Sequence, residues 1–326
     1  MRTALVTGAS GCVGSALVVR LNQSGWRVHA LTRAGSDTRV PEGTSAEIHR
    51  GDICDAGILR RAMEGCDTVF HTAALVTFAR KAGEEQYRVN VLGTRAVVTS
   101  CIQAGVGTLV HTSSVTTIGT PPPGEEADET LQADRSRARG YKLSKILAEE
   151  EVRTCVGSGL RCVIVNPSVI VGERDTRFHA GQLIRDIKKG RIPFYVKGGM
   201  NIVYVGDVAE GMISAADRGR TGERYILAGE NLTHEEIFRR TASLIGGRPP
   251  FARFPLSLLS GVGGIVEMVS NLLSVEPPLT RDLAAVAGRY HWFSAAKAER
   301  ELGFRATSFD RTIRAAYEWY RENGYL

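Results

Sequence analysis

Long unbroken apolar runs are scarce in this chain of 326 residues, and aromatic residues make up only 7% of it. One apolar stretch stands out at 255–275, with Leu256, Leu258, Leu259, Val262, Ile265, Val266, Met268 and Val269. Glu267, Asn271 and several glycines interrupt it, so no transmembrane span is expected there. A packed or lid-forming helix is the simpler reading, and contact with a membrane surface is the alternative. Charge of one sign is also in short supply. The net charge is +6, without any basic run, which excludes a nucleic-acid-binding tract and leaves at most a mild preference for anionic cofactors or substrates. Cys12, Cys54, Cys66, Cys101, Cys155 and Cys162 form no Cys-x-x-Cys pair, and several sit in apolar runs, so they read as small buried hydrophobes in a reducing, cytoplasmic setting. The seven histidines lack metal-ligand spacing and no Gly-x-Ser-x-Gly elbow occurs, so neither a metal centre nor a serine hydrolase is expected. A strand begins at once, leaving no room for a signal peptide. No internal repeat or low-complexity segment is present.

What is there is an alternation. Short β-rich runs at 4–6, 28–31, 68–70, 108–110 and 162–165 are separated by helical patterns at 11–24, 58–63, 84–104 and 141–156. Such alternation implies a parallel sheet covered on both faces, whose strands are apolar without a polar side. The fold class that follows is α/β: a Rossmann doubly wound parallel sheet with a smaller, split C-terminal substrate domain. Residues 1–172 and 198–221 are assigned to the dinucleotide-binding unit, and 173–197 and 222–326 to the substrate unit. Within the latter ranges, 178–190 and 309–323 read as helices; 202–205 reads as a strand and 208–216 as a helix.

The segment Gly8-Ala9-Ser10-Gly11-Cys12-Val13-Gly14 lies between the first strand and the first helix. Gly8 permits a tight turn, Gly11 lets backbone approach a pyrophosphate, and Gly14 lets helix and strand pack closely. The helix N-terminus adds unpaired N–H groups and a favourable dipole. A lone glycine triplet is weak evidence, but here strand, loop and helix occur in the required order. After the second strand an acid would accept from a free ribose hydroxyl; this chain has Leu31-Thr32-Arg33, and an arginine pairs with a 2′-phosphate. NADPH is therefore expected, with NAD the alternative. Asp52 and Ile53 follow the third strand, where Asp52 is placed against the adenine amino group rather than read as a helix N-cap. Thr72, Ala73 and Ala74 end the fourth strand with small residues that admit the cofactor.

Tyr141 and Lys145 stand one turn apart at the start of a helical pattern and so share a face. Lysine there is suited to bonding the nicotinamide ribose, and its charge is expected to lower the tyrosine's pKa. Tyr141 would then serve as general acid for a carbonyl being reduced. Ser114, at the end of the fifth strand, would bond the same oxygen. By itself Tyr-x-x-x-Lys recurs on solvated helices by chance; beside the nucleotide loop it gains weight. Glu125, Glu126, Asp128 and Glu129 read as a solvated loop near the pocket mouth.

Taken in order, the Thr7–Gly14 loop, Gly51-Asp52, His71–Ala74, Asn90-Val91-x-Gly93-Thr94, Thr112–Val115 and Tyr141-x-x-x-Lys145 resemble the extended short-chain dehydrogenase/reductases. Asn166-Pro167-Ser168, the segment 198–209 ending in Val205-x-Asp207-Val208-Ala209, and Phe293-Ser294-x-x-Lys297-Ala298 are similar to a bacterial dihydroflavonol-reductase-like branch that includes hopanoid-associated sugar epimerases. The resemblance spans nearly the whole chain. It implies a Ser114, Tyr141 and Lys145 triad, with Asn90 as structural support. It also implies cofactor contacts from Tyr141, Lys145, Asn166, Pro167 and Ser168. One departure matters: nucleotide-sugar epimerases of this type carry an arginine for the substrate diphosphate where Met200 stands. With Arg33, this favours a reductase of a fairly apolar ketone or aldehyde over an NAD-dependent nucleotide-sugar epimerase or dehydratase; Arg174, Arg177 or Arg281 would have to replace the missing arginine in the latter. A non-catalytic nucleotide sensor would have no need of the serine–tyrosine–lysine set. Monomer and homodimer are both left open.

Overall fold

The computed structural model describes residues 1–37, 43–77, 82–122, 124–256 and 288–326. Nearly all of the apolar stretch 255–275, and Arg281, lie outside the described residues. The strands are β1 Thr3–Thr7, β2 Arg27–Thr32, β3 Glu47–Arg50, β4 Thr68–His71, β5 Thr108–Thr112, β6 Arg161–Pro167, β7 Val169–Val171, β8 Phe194–Tyr195, β9 Gly199–Tyr204, β10 Arg224–Leu227, β11 Glu230–Thr233, β12 Ala252–Arg253 and β13 Tyr290–His291. The helices are α1 Cys12–Gln23, α2 Ala56–Ala62, α3 Gly83–Tyr87, α4 Gly93–Gln103, α5 Gly140–Arg153, α6 His179–Lys188, α7 Val205–Arg218, α8 His234–Ile245, α9 Ala296–Leu302 and α10 Phe309–Glu322.

Seven strands form one sheet in the order β10-β6-β5-β4-β1-β2-β3, and every neighbouring pair is parallel. Because successive side chains alternate across a strand, β1 sends Ala4 and Val6 to one face and Leu5 to the other. Ala4 and Val6 join Leu17, Leu21 and Met212, while Leu5 joins Leu59, Val97, Leu109 and Ile164. Around β1, β4 and β5 both faces are dry, which is why these strands are buried along nearly their whole length, whereas the edge strand β3 leaves Glu47 and Arg50 exposed. Each fully buried leucine contributes roughly 2–3 kcal/mol of transfer free energy. The winding reverses between β1 and β4, and there the carboxyl ends of the strands open a crevice.

A second, smaller sheet has β9 at its centre, antiparallel to β11 and parallel to β7 and β13. Helices α6, α8 and α10 pack over it through Ile184, Ile187, Ile237, Ile245, Phe309, Ile313 and Tyr320. α8 opens with a capping box between Thr233 and Glu236, and Gly246 follows it at φ 62°.

The expected boundaries differ from this arrangement at two strands. β9, from the range assigned to the nucleotide unit, belongs to the small sheet. β10, from the range assigned to the substrate unit, completes the large one. Both strands are short, and their local pattern carries no information about which sheet they join. The helix expected over 84–104 is interrupted by a π-helical turn at Arg88–Leu92. Cys155 and Cys162, both buried, stand with their sulfurs side by side, and Cys12, Cys54, Cys66 and Cys101 are free. No described helix is long and apolar enough to cross a membrane.

Candidate active site

A cavity of about 360 Å³ occupies the crevice at the carboxyl ends of the central strands. Its floor is the loop between β1 and α1. Gly8 has φ +68°, and a Cβ there would lie 2.7 Å from the backbone N and Cα of Ala73. At Gly14 a Cβ would fall 2.2 Å from the carbonyl oxygen of Gly8. Both contacts are with backbone, which cannot swing aside, so the loop and the end of β4 are closed together by the absence of side chains. Gly11 precedes α1 without a side-chain cap, so the first N–H groups of the helix face the cavity with their dipole. Ser10, Gly11, Cys12, Val13, Thr72 and Ala74 line the same wall. The Cys12 thiol is held well above its ordinary pKa by burial and by Asp175 and Glu173, which makes it an inert wall rather than a nucleophile.

At the far end lie Arg33 at the end of β2, and Asp52 and Ile53 after β3. Asp52 does not cap α2: Asp55 does, accepting from Gly57 and Ile58 N–H. Asp52 accepts from Cys54 N–H at 2.9 Å and pairs with Arg88 at 2.9 Å. These bonds hold its carboxyl below the ordinary range although desolvation pulls the other way. Arg88, which sequence reasoning passed over, also lines the cavity, so two guanidinium groups stand at this end. Its location is set by the π-helical turn, whose period no sequence pattern announces.

The opposite wall carries Ser114 and Tyr141. Ser114 caps the 3₁₀ turn Val115–Thr117, accepting from Thr116 N–H at 3.2 Å; its hydroxyl hydrogen is thereby left for Tyr141, to which it is hydrogen-bonded. Burial pushes the Tyr141 phenol up to about 12, with the Ser114 bond pulling down against it. This differs from the expectation that Lys145 lowers it: desolvation dominates, and the lysine points elsewhere. Lys145 lies behind the wall, 2% exposed, and its Nζ donates to the Thr112 carbonyl at 2.7 Å. Burial pushes it down to about 8, with Glu149 opposing.

Asn166 likewise stands behind the cavity, while Pro167 and Ser168 line it. Asn166 Nδ2 donates to Glu149 at 2.8 Å, to Thr117 Oγ1 at 2.9 Å and to the Ser114 carbonyl at 3.2 Å. Glu149, one turn beyond Lys145 on α5, is the hub sequence reasoning missed. Its Oε1 accepts from the hydroxyls of Ser113 at 2.5 Å and Thr117 at 2.7 Å as well as from Asn166. The spacing Lys145–Glu149 was the available signal, since a helix that buries one residue of an i, i+4 pair tends to bury the other. Asn90, in the π-helical turn, bonds both backbone groups of Leu75 and the Ser144 hydroxyl, which ties the segment after β4 to α5. Met200 is not on the cavity wall; it packs against the core of the small sheet. Arg177 does line the cavity, whereas Arg174, at φ 65°, faces a neighbouring hollow.

The residues present fit a dinucleotide. The glycine loop is a cradle that any Cβ would fill, and the Ser168 hydroxyl is buried at the wall without a hydrogen-bond partner among the described residues. A parallel doubly wound sheet with such a cradle defines a nucleotide-binding Rossmann enzyme. The chain belongs to the NAD dependent epimerase/dehydratase family, whose profile matches residues 4–228, and it is an NAD(P)-dependent oxidoreductase of the extended short-chain dehydrogenase/reductase type. A Synechocystis protein provisionally named dihydroflavonol 4-reductase is 35% identical over 98% of this chain and 95% of its own. Sterol demethylase protein B of Methylococcus capsulatus is 32% identical over 99% and 100%. A 4-hydroxy-2-methyl-3-oxo-4-farnesyl-3,4-dihydroquinoline-1-oxide ketoreductase of Stigmatella aurantiaca is 32% identical over 93% and 92%. Among solved structures, that of gox2253 superposes with a TM-score of 0.90 at 37% identity, covering all of both chains.

Proposed function

We propose that this enzyme reduces a ketone or aldehyde on a fairly apolar small molecule, using NADPH. The observation that carries the reading is the Ser114–Tyr141 pair on the cavity wall, opposite the glycine cradle. Tyr141 is kept protonated by burial at neutral pH, which is the state a general acid needs. Its phenol supplies the proton to the carbonyl oxygen while the Ser114 hydroxyl bonds that same oxygen and stabilises developing negative charge. Lys145, cationic near neutral pH and held against Thr112, lends positive potential from behind. Glu149 fixes the orientation of Ser113, Thr117 and Asn166, and through them the backbone that presents Ser114. NADPH, when bound, supplies the hydride. Arg33, with Arg88 beside Asp52, would hold its 2′-phosphate; the glycine loop and α1 N-terminus would hold the pyrophosphate, and Ser168 the nicotinamide end. Leu75, Val76 and Ile170 give the lining its apolar share. The names of two relatives, a dihydroflavonol reductase and a ketoreductase of a farnesylated ring, support the same chemistry.

Arg177 on the wall favours the second reading, a nucleotide-sugar epimerase or dehydratase with bound NAD, because a guanidinium there is able to meet a diphosphate. One experiment separates the two. Oxidation of NADPH and NADH is followed over a carbonyl panel, and uridine and thymidine diphosphates are titrated by calorimetry. Turnover of apolar ketones with NADPH and no saturable diphosphate binding is expected. Tight diphosphate binding with co-purifying, unconsumed NAD overturns the reductase reading.

A further inference from the structure

At the outer edge of the large sheet, away from the active-site cavity, β2 and β3 bring together His29, Glu47 and His49. The parallel register sets His29 opposite Glu47 and Leu31 opposite His49, so the three side chains emerge on one face. One ligand atom from each lies within 4.8 Å of the others. His29 is 4% exposed, and its Nδ1 contacts the Ala62 carbonyl at 2.8 Å, at the end of α2. A carbonyl only accepts, so Nδ1 carries the hydrogen and Nε2 of the neutral ring presents its lone pair. That Nε2 is buried without a hydrogen-bond partner among the described residues, as is Nε2 of His49. Both are aimed at Glu47: His29 Nε2 stands 3.6 Å from Oε2 and His49 Nε2 stands 3.4 Å from Oε1.

We propose that these three residues form a site for a first-row divalent cation of the zinc class. Two imidazoles and a carboxylate are its ordinary donors, and bonds of about 2.0–2.1 Å to a tetrahedral ion place neighbouring ligand atoms roughly 3.3 Å apart. The two histidine–carboxylate separations, 3.6 and 3.4 Å, are close to that edge length, and a small closing movement of the three side chains, whose ligand atoms all lie within 4.8 Å of one another, brings them to one ion. The His29–Ala62 bond is the outer contact that fixes a metal-binding imidazole in its tautomer. Glu47 is half exposed, so the fourth position opens to water. The opposing influence is Arg27, whose guanidinium reaches Glu47 at 3.2 Å and must release the carboxylate for the ion to enter. The expectation of no metal rested on spacing along the chain; the first ligand comes from a different strand, so no spacing motif exists to be read. Bound there, the ion staples the edge strand β3 to β2, whose following residues are Arg33 and Asp52.

The test uses tag-free, chelator-stripped protein titrated with Zn²⁺ by calorimetry. One equivalent is expected to bind, and Glu47→Gln and His49→Gln each to weaken it at least ~10-fold, a loss of the size that disturbing such a ligand shell produces. Arg27→Ala is expected to tighten it, because Glu47 is released. NADPH binding by each variant reports that the fold is intact. Should a variant fail to fold, Co²⁺ titration of the unaltered protein decides: a tetrahedral nitrogen–oxygen ligand field supports the site, and thiolate charge-transfer bands, which would place the ion on a cysteine, overturn it. Absence of stoichiometric binding, or affinity unchanged in both glutamine variants, overturns it as well.

Discussion

The two walls of the cavity solve the same problem by opposite means. The cradle between β1 and α1 is built almost wholly of backbone: Gly8, Gly11 and Gly14 contribute close approach and N–H groups, with little buried charge. The wall formed by β5 and α5 is built of side chains, and it buries a lysine and a glutamate behind the partly exposed Tyr141. A backbone cradle gains its function from steric fit and costs the fold little. A wall of buried ionisable groups works by placing charge where water is excluded, and that placement weighs against stability. The cradle should therefore fail by clash and the wall by chemistry.

The sharpest break in that comparison is Gly14→Val. Its Cβ meets a backbone oxygen at 2.2 Å, so loop and helix must separate. A loss of about 3 kcal/mol or more in stability, together with loss of cofactor binding, is expected from thermal melts and fluorescence titration. Gly83→Ala, where a Cβ meets nothing within 4 Å, should change neither. Tyr141→Phe should do the reverse, leaving stability and cofactor affinity in place while turnover falls on the order of 10²-fold or more. Retained turnover would make Ser114 the proton donor to examine next.

Arg33→Ala sharpens the comparison at the far end of the cradle. Loss of a charge-assisted contact should weaken NADPH by about 1–3 kcal/mol and leave NADH nearly unchanged. Equal losses for both would remove Arg33 from cofactor choice.

Lys145→Met probes the cost of the wall. The lysine's pKa falls from its ordinary value to about 8 on folding. Below pH 8 the ammonium is charged in both states, and the full cost of burying it opposes the fold. Between pH 8 and the unfolded-state value of about 10.4 the folded protein gives up the proton first, so the penalty fades as pH rises. The methionine variant should therefore be inactive yet more stable at pH 7 by about 1–2 kcal/mol, after the lost bond to Thr112 is set against the gain. The difference should close toward pH 10.5. A variant less stable at every pH would show that Lys145 holds the wall together rather than straining it.

How much of this was legible follows from the same contrast. Gly8, Gly11 and Gly14 are readable because only one residue type satisfies their steric requirement, at fixed spacing, between a strand and a helix. Tyr141 and Lys145 are readable as a pair because a helical turn sets their separation, but that one lines the cavity while the other stands behind it depends on how α5 lies against β5. Glu149 gave only its one-turn spacing from Lys145, and Arg88 gave no signal, since an arginine near acids is commonplace on solvated surfaces.

The sequence by itself determined the alternation of strand and helix, the glycine cradle and the one-turn spacing of Tyr141 and Lys145. Those depend on interactions between residues close in the chain, where period and steric size suffice. Only the tertiary structure decided that β10 extends the large sheet while β9 centres the small one, that burial raises the Tyr141 phenol instead of Lys145 lowering it, and that His29 meets Glu47 and His49. Each of those depends on which surfaces exclude water and which strands lie side by side, and both are set by the packing of the whole chain, not by any local pattern.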